Sequence, residues 1–268
     1  MRIALIGCGA ISTTIAQAIK NKELDIVLKY VFARRADIAK EFANRFGAVY
    51  LEFDEILDKD LDLIVEAASQ EAVRTLIPRS LKAKKNVMIM SNGALVDESL
   101  LQEIKDLARK NNLKVYLPSG AIAGLDGVKA ARIGRIERVT LKTRKPPKSL
   151  KGAPFFDKSP VDLEAIESST IIFEGSADEA ARLFPANLNI AATLGMAGIG
   201  PRGTNVQIVV DPDVEFNIHE ITVEGSFGIV VAKTQNAPSF NNPRTSDLAA
   251  LSAVATLKRI AEPIEVGT

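Results

Sequence analysis

Residues 3–6, a short apolar run of strand character, open almost at once into Gly7-Cys8-Gly9 and then into a stretch with helical spacing, residues 11–20. No other part of the chain narrows the possible folds so far. A buried strand, a glycine turn and a helix start, in that order, form the first unit of a parallel α/β sheet. The glycines permit a tight turn and close backbone approach, and the N–H groups at the helix start favour an anion such as a pyrophosphate. The pattern G-x-G-x-x-G is complete except at its last position. Ser12 stands there, small enough for close helix–strand packing. A plain strand–turn–helix corner would carry similar letters. Its place at the head of a strand–helix unit favours a dinucleotide site, with Gly7, Gly9, Ala10 and Ile11 around the phosphates.

The alternation continues downstream. Apolar runs at 26–33, 61–68, 86–90 and 113–117 read as strands, while 36–46, 71–83 and 97–110 carry helical spacing, with Asp97 placed to cap the last. This predicts a Rossmann-type, doubly wound parallel sheet, whose ligands lie beyond the carboxyl ends of its strands. Residues that follow strands are therefore candidates, and Ala67, Ala68 and Ser91 join the cofactor set on that ground. After the second strand comes Phe32-Ala33-Arg34-Arg35, where a carboxylate would ordinarily hold the ribose hydroxyls. Asp37 comes late, and Arg34 can hold a 2′-phosphate instead, so the expected cofactor is NAD or NADP.

Beyond residue 126 the texture changes. Residues 135–145 read as a strand, 145–160 as a proline-bearing surface loop, and 176–184 and 187–196 as helices. Strands are expected at 205–211 and 215–233, and a helix at 247–260 capped by Thr245 or Ser246. The expected fold is α/β: an N-terminal Rossmann-type parallel sheet (1–125) and a C-terminal α+β domain with a mostly antiparallel sheet (126–242). The second domain would carry the substrate and dimerisation surfaces, and the last helix, about 243–268, would pack back on the first.

At 268 residues there is room for both domains, and a net charge of +1 offers no field to attract nucleic acid or an anionic membrane. No apolar run is long enough to span a bilayer and no signal segment precedes the first strand, so a cytoplasmic location is expected. Cys8 is the single cysteine, which excludes an intrachain disulfide; in the glycine turn it reads as a small loop residue rather than a redox group. His219, the one histidine, shares strand parity with Ile221 and Val223 and so points to the covered face. With no second histidine and no cysteine pair, no zinc site is expected. On the residues alone His219 can be a bonded core histidine or a group that moves a proton near neutral pH.

Four segments, in this order, resemble the L-aspartate dehydrogenases: Pro118-Ser119-Gly120-Ala121-Ile122-Ala123-Gly124-Leu125-Asp126, Phe184-Pro185-Ala186-Asn187-Leu188-Asn189, His219-Glu220-Ile221, and Asn242-Pro243-Arg244-Thr245-Ser246. The likeness runs along nearly the whole chain. It implies oxidation of L-aspartate to iminoaspartate with NAD or NADP, followed by hydrolysis to oxaloacetate and ammonia or entry into NAD biosynthesis. It also implies cofactor contacts at Ala123 and Asn189, an acid–base role for His219, and a homodimer. Substrate contacts are expected from backbone N–H groups near Ser119 and Gly120 and from the helix start at Asn187; Lys233 and Arg244 read more readily as a strand-edge lysine and a solvated arginine. Two rival readings stay open: another small-substrate dehydrogenase of homoserine-dehydrogenase type, and an NAD(P)-sensing regulator without catalysis.

Overall fold

Arg2–Ile6 (β1) has four of its five residues buried, as a strand covered on both faces must. It heads a series of α1 (Ala10–Lys20), β2 (Val27–Phe32), α2 (Ala36–Phe46), β3 (Val49–Tyr50), α3 (Phe53–Leu57), β4 (Leu63–Glu66), α4 (Gln70–Lys82), β5 (Asn86–Ile89), α5 (Glu98–Asn111) and β6 (Val115–Tyr116). The sheet order is β3-β2-β1-β4-β5-β6, every pairing parallel. That order reverses at β1, so the loops after β1 and β4 leave the sheet side by side and leave room for a ligand. Side chains set the helix starts: Ser69 Oγ accepts from Ala72 N–H at α4, and the Asp97 carboxylate accepts from Ser99 and Leu100 N–H at α5.

This is a computed structural model, and it describes residues 1–157, 159–185, 189–239 and 242–267. Its second unit holds α6 (Leu125–Ala131), β7 (Ile136–Lys145), β8 (Thr170–Ser176), α7 (Ala177–Leu183), α8 (Asn189–Ala197), β9 (Thr204–Val210), β10 (Asn217–Gly225) and β11 (Gly228–Asn236). The sheet order is β11-β10-β7-β9-β8, with only β7–β9 parallel. A short antiparallel pair, Pro238–Ser239 with Asn242–Ser246 (β12 and β13), leads to α9 (Asp247–Ala261). Residues 1–118 and 250–265 form one compact unit, and 119–249 with the last residues form the other. Ala253 and Leu257 of α9 are buried in the core of the first, beside Ile3, Ile15 and Val31.

The second unit departs from expectation in several places. Residues 145–160 are not a mere surface loop: Leu150 is fully buried, and Phe155 stacks on buried Phe184 at 5.0 Å between ring centroids. The run 215–233 is two strands, not one. Chain reversal occurs at Ser226-Phe227, where an added Cβ on Gly225 would collide with the Arg135 carbonyl and Gly228 takes φ +106°. Four elements had no legible signal: β3, α3, the Gly127-bearing α6, and the half-exposed edge strand β8, whose residues do not separate into an apolar and a polar face. No helix is long and apolar enough to cross a membrane among the described residues.

Candidate active site

In the first unit the glycine turn forms the floor of a cavity of about 460 Å³, lined by Gly7, Gly9, Arg34 and Ala68 among others. Gly7 sits at φ +100°, and a Cβ there would lie 2.5 Å from the Ala67 carbonyl oxygen, so only glycine fits. Gly9 is the N-cap of α1 and provides no side-chain cap; a Cβ on it would project into open space. The first turn of α1 contains no acidic residue. A bare helix start over an open cavity suits a pyrophosphate, and the residues present fit a dinucleotide. Arg34 and Arg35 are exposed at the same cavity, and no carboxylate from the end of β2 lines it. Burial pushes the Cys8 thiol up to about 11, which keeps it protonated and unreactive.

Of the other expected residues in this unit, Ala10 and Ile11 begin α1 just behind the floor, and Ala67 abuts Gly7. Ser91 does not line the cavity. Its N–H and hydroxyl donate to the Glu66 carboxylate at 3.0 and 2.9 Å. Glu66 is fully buried at the end of β4, and it also accepts from Ala68 and Ser69 N–H at 2.8 and 2.9 Å. Burial raises its pKa, opposed by these donors. One side chain thus ties the loop after β4 to the loop after β5. The sequence offered a signal that went unread: a carboxylate closing an otherwise apolar strand, Leu63–Glu66.

In the second unit, β7 and β10 run antiparallel with His219 opposite Thr143 and Ile221 opposite Leu141. Val139, Leu141, Ile221 and Val223 make the apolar part of the covered face. Toward one end the same parity turns polar: Thr143 and Lys145 on β7, Asn217 and His219 on β10, Asn236 on β11, all buried. Thr143 Oγ1 lies 3.2 Å from His219 Nδ1. Burial, aided by the nearby Lys145 ammonium, pushes the His219 pKa down to about 3, so the ring is neutral at pH 7. Burial pushes Lys145 down to about 8.

The loop that carries Ser119, Gly120 and Ala123 is fastened to this polar end. Thr234 Oγ1 and Asn236 Nδ2 both donate to the Ala121 carbonyl, at 2.8 and 3.0 Å. Thr234 pairs with His219 and Asn236 with Asn217 across the β10–β11 ladder. The loop also meets the start of α8, since a Cβ on Gly120 would lie 3.3 Å from Ile190 Cγ2, next to Asn189. Ser119, Gly120, Asn189 and His219 thus gather around one loop, and Ala123 is exposed on it. Asn187 lies outside the described residues. Lys233 is exposed on the opposite parity of β11. Thr143, Lys145 and Asn217 share this buried polar end with His219, and their parity with Leu141 and Ile221 was readable in the sequence.

Two family profiles match the chain: one described as aspartate dehydrogenase, C-terminal, over residues 126–260, and one described as homoserine dehydrogenase, NAD binding domain, over residues 7–118. An L-aspartate dehydrogenase of Methanosarcina mazei is 46% identical, with all of both chains covered. One from Nitrosopumilus maritimus is 42% identical over all of this chain and 99% of its own. The crystal structure of aspartate dehydrogenase from Thermotoga maritima superposes with a TM-score of 0.76 at 30% identity, covering 100% of this chain and 99% of that one.

Proposed function

The chain belongs to the aspartate dehydrogenase family, and from that membership we propose that it oxidises L-aspartate to iminoaspartate with NAD or NADP as acceptor. The imine then hydrolyses to oxaloacetate and ammonia or enters NAD biosynthesis. The observation that carries the reading is a neutral, buried histidine at the polar end of a sheet face, oriented by a hydroxyl. With Nδ1–H donating to Thr143 Oγ1, Nε2 keeps the lone pair that a proton acceptor needs.

When bound to the first unit, the dinucleotide supplies the hydride acceptor. The backbone at Gly7 and Gly9 and the start of α1 hold its pyrophosphate, and Arg34 holds a 2′-phosphate when one is present. Ala67, Ala68 and Ser91 shape the strand-end loops beside it, and Ala123 and Asn189 are assigned cofactor contacts on the family resemblance. Loss of hydride from Cα requires a neutral amine, and His219 is assigned to take up the proton that the ammonium releases, with a substrate carboxylate beside the ring restoring the basicity that burial and Lys145 remove. Backbone N–H groups at Ser119 and Gly120, with Asn187, meet the substrate, and the rigid attachment of Ala121 to β11 fixes their direction. We assign the second sheet's outer side, where Ile229 and Val231 are exposed, to a homodimer, and the cytoplasm as the place of work.

A spectrophotometric screen of amino acids and homoserine with each cofactor tests the activity. L-aspartate should reduce one or both cofactors, and His219→Ala should lower kcat roughly 100-fold or more with cofactor affinity retained. Turnover of homoserine alone would move the chain to the rival dehydrogenase reading. Cofactor binding without any reduction would make it a sensor.

A further inference from the structure

An asparagine is an unexpected residue at the start of β10. Strands are poor in Asn, yet Asn217 lies on the buried parity of this one and is only 7% exposed. Its Oδ1 is buried and has no hydrogen-bond partner. A buried acceptor left unmatched is costly, and an apolar side chain in its place would avoid that cost. The polar side chains beside it on β11 are already committed. Asn236 pairs with Asn217 across the ladder, but its Nδ2 donates to the Ala121 carbonyl at 3.0 Å and to Thr234 Oγ1 at 3.1 Å. The Thr234 hydroxyl donates to the same carbonyl at 2.8 Å.

The place of this acceptor is a second, independent sign. His219 shares its parity, and the strand rise sets the two residues about 6.6 Å apart. With Nδ1 turned to Thr143 Oγ1 at 3.2 Å, Nε2 is the ring's other acceptor. Two hydrogen bonds of about 2.9 Å from one nitrogen reach acceptors about 5 Å apart, so a single amino group can serve both side chains. A hydroxyl cannot. It has one hydrogen, and giving that to His219 leaves only lone pairs to face Oδ1.

We propose that Asn217 Oδ1 accepts an N–H of the substrate's amino group beside His219, and that this bond selects an amino acid over the matching 2-hydroxy acid. The proposal rests on the amino-acid oxidation assigned above, and it names the residue that sets the substrate class. The ammonium passes one proton to His219 and keeps an N–H on Oδ1. When Cα then gives up its hydride to the dinucleotide, the nitrogen lone pair becomes the second C–N bond. The nitrogen gains positive charge, so its bond to Oδ1 is stronger than in the neutral amine. An alcohol would end instead as a carbonyl, whose oxygen repels Oδ1.

The test compares the full-length wild type with N217L, which keeps the bulk and removes the amide. Without ligand the variant should melt no lower than the wild type, because an unmatched acceptor has gone. Its kcat/KM for L-aspartate should fall about 100-fold. A binding readout needs no turnover and is made with the reduced cofactor present. The Kd of L-aspartate should rise about 10-fold or more in N217L, while that of succinate, which has both carboxylates and no amine, should stay within about 3-fold. The wild type should prefer L-aspartate to L-malate, and N217L should narrow that preference about 10-fold. Equal weakening of L-aspartate and succinate, or a kcat/KM within about 3-fold of wild type, overturns the proposal. A selective loss of L-aspartate binding in N217L, beside a wild type that cannot oxidise aspartate, would keep the amine seat and overturn the activity. Should N217L fail to fold, N217A carries the same comparison: a loss selective for L-aspartate supports the bond, and an equal loss or none overturns it.

Discussion

His219 is kept unprotonated by burial, with Lys145 adding to the effect, and this has a consequence beyond chemistry. Its folded pKa of about 3 lies below the ordinary 6.5, so between those values the unfolded chain binds the proton that the folded chain refuses. The stability this provides is present above pH 6.5 and is lost as pH falls toward 3. Urea unfolding at pH 7 and pH 5 should show the wild type losing roughly 2 kcal/mol more than His219→Gln over that step. Equal losses would mean that the imidazole is not held neutral. At Arg34 the expectation is selective: Arg34→Ala should weaken NADP binding about 10-fold and leave NAD nearly unchanged, measured by titration calorimetry. The turn at Gly7 and Gly9 and the covered-face position of His219 were legible because residue type and place coincide there. The burial of Lys145 and Asn217 was not, because only polarity on an apolar parity marked it.

Between residues and the whole stand the loops, and Glu66 governs two of them. Four donors converge on its carboxylate, so Glu66→Gln would point an amide NH₂ at groups that also donate. The substitution should destabilise the protein by about 2 kcal/mol and weaken dinucleotide binding, since the loops after β4 and β5 lose their common tie. A thermal melt and a cofactor titration check both halves; a variant with wild-type affinity would show that the tie is dispensable. Gly7→Ala should abolish cofactor binding or folding, because φ +100° and the nearby Ala67 carbonyl exclude a Cβ. Elements of the first sheet were legible because parallel strands are continuous apolar runs. β8 was not, because an edge strand with mixed exposure has no clean alternation, whereas the hairpin in 215–233 carried a readable signal in Gly225 and Gly228, which bracket Ser226-Phe227 within one long apolar pattern.

At the scale of the molecule the chain leaves its first unit after residue 118 and returns with residues 250–265. The N-terminal sheet therefore completes its core only with the last helix. Leu257 is fully buried there, and Leu257→Ala should cost about 3 kcal/mol and lower dinucleotide affinity, although it lies in the segment farthest along the sequence. A melt that shows less than about 1 kcal/mol lost would place that helix outside the cooperative unit. The assigned function draws on a glycine turn over a cavity in the first unit and on a buried imidazole in the second. The most direct measurement supplies L-aspartate deuterated at Cα and examines the reduced cofactor by mass spectrometry and NMR. Deuterium should appear at C4 of the nicotinamide with the wild type and appear far more slowly with His219→Ala. Reduced cofactor that carries no deuterium, or label transfer that is indifferent to His219, would contradict the account.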